Sequence, residues 1–527
     1  MQTRRRLPLI LSDFGAAWSR ALMPHSADHF GVVLIGVAVV VYFLLRDIPI
    51  GHDQSWYLIS VQKILAGARP YVDVIELNPP LNFYLVMPPV FLAERLGALP
   101  EHAFVAYVVA LACASTIWAR HLLRKLPGIP AGHANAAAIG ALLSTTALVV
   151  FDFGQRDVLL VIFTLPYLAL SMCRMEGSKV SGLTAASIGL WAALGICLKP
   201  YFLVFPLATE VVLYLKRRKL SGVFRPETLA VGAMGLGYAV AIVTLFPDYL
   251  KTIVPMARAT YFAYGVHFPQ SLLCAETLTL PLVVGAYLVL RQRRDLGAWL
   301  DMLAAWTVAA FVSYAVQNRG FTYHAEPLRI FLVLLAASLV GRKFDAPVPL
   351  PRFCLIAGLA LMAIRAEVLG FYDDQWAIDA KQKIERYGAQ DGIYAFSAHV
   401  FIGFPLANRI DGPWVSRFPC LWPVPGVQRI LAAPQEFTPA QRAEALRADR
   451  YVTDAVIEDF QRQMPSIVIV DERKNKSYFE GVKFDYVANF SRDPRFARIW
   501  QNYRLVERMS GFEIWRKEPA GRAATVR

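Results

Sequence analysis

The chain has 527 residues, 56% of them hydrophobic and only 18% charged, with a mean hydropathy of +0.41. A soluble globular domain carries about 45–50% apolar and about 25% charged residues, so the composition excludes an ordinary soluble enzyme. The net charge of +14 does not mark a nucleic-acid binder, because its Lys and Arg sit in short clusters beside apolar blocks, the pattern of loops held on a cytoplasmic face.

Arg4-Arg5-Arg6 opens the chain, and the first long apolar block begins only near Phe30. No short apolar region with a small-residue cleavage site precedes it, so it reads as an uncleaved anchor. Blocks of about 15–22 apolar residues are long enough to cross a bilayer core. They predict eleven spans, at about 30–45, 102–122, 134–151, 158–173, 182–198, 201–215, 229–246, 271–290, 298–316, 327–341 and 353–370. A further apolar stretch, Leu81 to Leu92, carries Pro88-Pro89 between polar flanks and reads as a juxtamembrane helix.

Charge sorts the loops. Arg4–Arg6, then Arg120, Arg124 and Lys125, then Arg174 and Lys179 fall on one side. Lys216-Arg217-Arg218-Lys219, Arg291, Arg293 and Arg294, and Arg342-Lys343 continue the series, which marks the cytoplasmic face. The other face receives the long first loop, about 46–101, and, after an odd number of spans, residues 371–527. The predicted organisation is a cytoplasmic segment 1–29, a membrane domain 30–370 and an outer-face domain 371–527, in a multi-pass membrane protein. From Phe371-Tyr372-Asp373-Asp374 onward the apolar runs shorten. Gly392 to Ser397 and Ser466 to Val470 read as buried strands and 437–463 as an amphipathic helix, so the fold class is a polytopic α-helical membrane protein with a small C-terminal α/β domain.

Five of the six cysteines (Cys113, Cys173, Cys197, Cys274, Cys354) lie in or beside apolar blocks and Cys420 in the tail, a distribution that points to neither a disulfide framework nor a zinc site. Nothing asks for a cofactor, and a divalent metal stays open.

Ionisable groups retained near a membrane are functional candidates. In the first loop, Asp53 follows the first span. It reads either as a general base that takes a proton from an attacking hydroxyl or as the N-cap of a helix beginning near Trp56. Glu76, before Asn78-Pro79-Pro80, either orients a substrate hydroxyl or binds nearby backbone. A cationic set, Arg156, Lys199 and Arg319 with His324, falls at outer ends of spans. Each alone reads as an interfacial anchor; together they point to an anionic ligand, for which phosphate is the natural choice. His52, Tyr57, Asn78, Gln155 and Tyr323 are the polar neighbours expected to contact substrate.

An Asp soon after the first span, a helix, and then Pro79-Pro80-Leu81 followed by aromatics resembles the first outer loop of the GT-C glycosyltransferases. The nearest branch is that of the protein O-mannosyltransferases and aminoarabinose transferases, with the Rhizobium lipopolysaccharide galacturonosyltransferases (glycosyltransferase family 39-like). The resemblance covers about 30–370. It implies transfer of a sugar from a polyprenyl-phosphate donor to a hydroxyl of a glycan, lipid or protein acceptor on the outer face, with inversion and with Asp53 as the base. Where aminoarabinose transferases have a Lys before Pro-Pro, this chain has Asn78, so the phosphate contact falls to Arg156, Lys199 or Arg319. Two rival expectations are a multi-pass transporter or lipid-linked-sugar flippase, which would place ionisable residues in mid-span, and a non-catalytic assembly subunit.

Overall fold

The segment RDVLLVIFTLPYLALSMCRM is apolar on every side, and a helix of that kind has to be enclosed by others. In the computed structural model it forms helix Arg156–Met175, with 19 of its 20 residues buried. The structure describes residues 27–127, 129–218, 223–293, 296–340, 348–370 and 375–518. Expectations resting on Arg4–Arg6, Lys219, Arg294, Arg342-Lys343 and Phe371–Asp374 lie outside these. The chain divides into two compact units.

The helical unit comprises Met1–Ile48, Phe104–Gly237 and His267–Phe371. Against helix Arg156–Met175 lies helix Gly182–Ile196, brought close by Gly195: a Cβ there would stand 2.9 Å from Phe163 Cβ and 3.1 Å from the Leu160 backbone. Small residues permit this approach where lipid gives no hydrophobic drive to helix packing. Trp306 packs against Tyr167, Phe205 and Phe331 and donates its indole N–H to Thr209 Oγ1 at 2.9 Å. The buried indole thus keeps its polar partner.

Among the described residues five helices are long and apolar enough to cross a membrane: Pro100–Leu123, Arg156–Met175, Pro226–Leu245, Ala298–Gln317 and Thr322–Val340. Pro226–Leu245 leaves most of its apolar side chains uncovered, Leu236 at 70% and Val243 at 63%, a surface that water would not tolerate. Phe30–Leu45 and Gly182–Ile196 are apolar but shorter. The count of eleven is therefore not reached, although a helix occupies most of each predicted span. Ala131–Thr145 has 15 residues and Val204–Arg217 has 14; at about 1.5 Å per residue these cover only about 22 Å of a hydrocarbon core about 30 Å thick. Ala275–Arg293 and Pro349–Leu369 are long enough but carry charges, among them Glu276 and Arg365, which pair at 3.2 Å.

Two charges read from sequence as loop or mid-span features prove to be packed. Arg120 is buried and donates Nε to Asn135 Oδ1 at 2.6 Å. Glu210 accepts from Thr228 Oγ1 at 2.9 Å and pairs with Arg225, at the helix end.

The second unit comprises Pro49–Ala103, Tyr238–Val266 and Tyr372–Arg527, so the long first loop packs with the C-terminal segment. As expected, the first loop carries helix His52–Leu65 and a proline-bearing helix Leu81–Leu96. The predicted strands form β1 (Ile393–Phe396) and β2 (Ile467–Asp471), paired parallel with Ile393 opposite Ile467. They are connected through helix Pro439–Arg462, whose Thr438 and Gln441 make a capping box. Two further strands, β3 (Tyr503–Met509) and β4 (Phe512–Lys517), form a hairpin, and the sheet order is β1-β2-β4-β3. Its turn uses Ser510 and Gly511 at φ 49° and 82°, the positive-φ pair that a tight hairpin requires. Phe396 centres the core, ringed by Phe460, Phe490, Phe496 and Trp500.

The first loop is fastened to the C-terminal segment by Ile75 N–H to Arg417 O (2.7 Å), Lys63 Nζ to Ser416 O (2.8 Å) and the Trp56–Phe404 ring pair. Arg417 is itself anchored to Asp459 at 2.8 Å and Glu458 at 2.9 Å.

Candidate functional site

The residues singled out in the sequence fall into two clusters, one within each unit.

In the second unit, Gly51 is the N-cap of helix His52–Leu65, and no side chain caps that end. Asp53 is therefore not the cap. It stands in the first turn, where the partial positive charge of the helix terminus favours a carboxylate. Its side chain is 22% exposed, and His52 Nε2 lies 3.7 Å from its Oδ1.

Glu76 has a different setting. It is buried and accepts hydrogen bonds from Trp56 Nε1 (2.8 Å), Tyr57 OH (3.0 Å), the Asn78 backbone N–H (2.9 Å) and the Asn78 side-chain amide. Asn78 also donates to Tyr57 OH at 3.2 Å, and Tyr71 OH donates to Asn78 O at 2.8 Å. Both Glu76 oxygens are thus engaged within the loop, and Tyr57 and Asn78 belong to the same brace. Such a charge-assisted network holds the loop in one conformation.

Sequence reasoning missed the C-terminal neighbours of Asp53. His399 follows the carboxyl end of β1, where open α/β sheets place their ligand-facing loops. That position was a readable signal. Its Nδ1 accepts from Phe401 N–H at 3.2 Å, which leaves the proton of the neutral ring on Nε2. Burial, then the nearby His52 and Arg473, pushes its pKa down to about 4, so it is neutral at pH 7. Asp53 acts electrostatically on His399, Tyr478 and Cys420 alike. Burial and then Asp53 drive the Cys420 thiol well up, so it stays protonated. Tyr261, Tyr264, Tyr478 and His399 stack in sequence with centroids 5.0, 4.1 and 5.5 Å apart, a rigid wall beside the carboxylate.

In the helical unit the cationic set lies near His324. Arg156, Lys199 and Arg319 are the three charges that bear on His324. Gln155 precedes the first turn of helix Arg156–Met175, Lys199 precedes Pro200, and Arg319 lies between Asn318 and Gly320, both with positive φ. Lys199 Nζ sits 5.0 Å from the Tyr323 ring centroid, a cation–π contact. Gln155, Arg156, Lys199 and His324 are all buried, and His324 Nδ1 has no partner among the described residues. The sequence reading missed Asp157: Lys199 donates to Asp157 Oδ2 at 2.6 Å and to Gln317 Oε1 at 3.0 Å. The lysine charge is therefore compensated within the protein.

Beside this set, Thr322 Oγ1 donates to Asp152 Oδ1 at 3.1 Å, and Glu326 pairs with Arg329. Burial, then the Glu326 carboxylate, raises the Asp152 pKa well above the ordinary carboxylate range.

Chemically, one cluster offers a partly exposed carboxylate flanked by two imidazoles and an aromatic wall; the other offers guanidinium groups and an imidazole among apolar helices. Comparison with known protein families and with curated proteins gives no match for this chain.

Proposed function

We propose that this chain is a GT-C-type glycosyltransferase of the cell inner membrane, moving a sugar from a polyprenyl-phosphate donor to a hydroxyl of a glycan, lipid or protein acceptor on the outer face. Several membrane crossings and a periplasmic C-terminal segment belong to this reading. The observation that carries it is the convergence of Arg156, Lys199 and Arg319 on His324 among helices apolar enough to span a membrane. Asp157 offsets one of these three charges, the net charge of the set still favours an anion, and a polyprenyl phosphate is an anion delivered from within the bilayer.

In the reaction, Asp53 accepts the proton of the acceptor hydroxyl as that oxygen attacks the anomeric carbon. The bond from that carbon to the phosphate oxygen breaks, and the electron pair leaves with the polyprenyl phosphate. That phosphate departs as an anion without a general acid, and cations stabilise its developing charge. Inversion follows from a single displacement. Glu76 holds the loop that carries the base.

The test is transfer of labelled sugar by membranes carrying wild type or Asp53→Asn at equal abundance, with lipid-linked sugar and glycan products resolved. Loss of transfer in the variant supports the assignment; equal transfer removes it.

One observation favours a second reading, a transporter or lipid-linked-sugar flippase: Asp152, Glu276, Glu326 and Arg329 are buried, and Arg365 half-buried, among apolar helices, and such groups mark ion or substrate paths. Lipid-linked sugar building up on one leaflet, with no transfer, would select it.

A further inference from the structure

Helix His52–Leu65 has a second polar face. Gln62 follows Asp53 by nine positions, which at about 100° per residue sets it about 180° around the axis from that carboxylate. Gln62 on this reverse face, with Ile59 and Lys63 to one side of it, lines a cleft of about 660 Å³. The remaining walls come from Ala66, Leu99–Glu101, Gln390, Ala407, Asn408 and residues 410–414, all of the same compact unit.

The lining identifies a ligand class. Gln62, Gln390 and Asn408 carry amides and Glu101 and Asp411 carboxylates, planar groups that bond neighbouring hydroxyls in pairs. Ile59, Leu99, Pro413 and Trp414 give apolar surface for the C–H faces of a sugar ring. Asn408 is fixed in place by donating Nδ2 to Ser55 O at 3.2 Å, and its buried Oδ1 has no partner among the described residues.

Charge narrows the class. Lys63 is the one cation among the lining residues, and its ammonium already donates to Ser416 O at 2.8 Å. Against that one ammonium stand two carboxylates, so the lining carries a net negative charge and disfavours anions, the reverse of the cationic set of the helical unit. Clefts of about 300–1,000 Å³ hold small ligands, so a short oligosaccharide fits.

We propose that this cleft binds a neutral or amine-bearing oligosaccharide. The inference goes beyond the transfer reaction, since binding on the face opposite Asp53 requires no turnover and does not depend on the base assignment.

The test is calorimetric binding to the full-length protein in nanodiscs, with three probes: N-acetylated chitotetraose, its deacetylated form and tetragalacturonate. The first two are expected to bind, and the anionic probe to bind about tenfold or more weakly by comparison. Gln62→Ala, a half-buried site outside the Asp53 cluster, is expected to weaken the first two about tenfold without shifting Tm. Glu101→Gln combined with Asp411→Asn is expected to admit tetragalacturonate. Binding of none of the probes, binding unchanged by Gln62→Ala, or equal binding of the anionic probe would each overturn the proposal.

Discussion

Trp56 donates its indole N–H to Glu76 at 2.8 Å, across twenty residues of the first loop, and the same carboxylate receives Tyr57 and Asn78. Three kinds of donor meeting one buried carboxylate make Glu76 a fastening point.

Glu76→Gln should therefore lower stability, because an amide presents a donor where only acceptors fit. Hydrogen bonds to a charged group contribute about 1.5–3 kcal/mol each, so a loss of about 3 kcal/mol is expected. Thermal unfolding of the purified protein reads it. An unchanged Tm accompanied by lost transfer would instead assign Glu76 to the substrate.

Asp53→Asn should leave Tm within about 1 °C, since no cap depends on its side chain. Transfer should fall about 10²- to 10⁴-fold, the usual contribution of a positioned base. Stability and transfer measured on one preparation separate the two roles.

His399 gives a pH dependence. Its folded pKa, about 4, lies below the ordinary histidine value, so between the two the unfolded chain binds more protons. Its contribution is present above about pH 6.5 and is lost as pH falls toward 4, for a total on the order of 2–3 kcal/mol. Tm should drop between pH 7 and 4.5, and His399→Gln should flatten that drop. Parallel curves for the two proteins would exclude His399 as the source.

Asp157→Asn should remove the partner of Lys199 and leave a buried ammonium with Gln317 alone. Breaking such a pair costs about 3–5 kcal/mol. Arg319→Gln should instead raise the KM for the lipid-linked donor about tenfold or more. Unfolding and donor titration together distinguish a structural cation from a ligand-binding one.

The parts legible in the sequence are those with local patterns. β1, β2 and helix Pro439–Arg462 announced themselves by apolar runs and an amphipathic period, and helix Leu81–Leu96 by its prolines. The hairpin β3–β4 had an equally local signal in Ser510-Gly511 between alternating residues, and it went unread. Asp157 and Lys199 stand 42 positions apart, and no spacing rule links them; likewise Arg120, beside other cations, looked like a loop marker until Asn135 met it. Helix lengths came out shorter than hydropathy implied because prolines, glycines and 3₁₀ turns such as Pro200–Leu203 break the apolar blocks. Asp53 was visible as a candidate. The wall of His399 and Tyr478 around it was not, since both arrive from the far end of the chain.

That last distance sets the order of biosynthesis. Ile75 meets its partner Arg417 only after about 340 further residues are made, roughly 20–70 s at about 5–20 residues per second. Until then the first loop waits with Lys63 and the Ile75 amide unmatched. A chain that stalls or is cut within that interval would present an unfinished surface to proteases and chaperones, so quality control of this protein rests on completion of its final third.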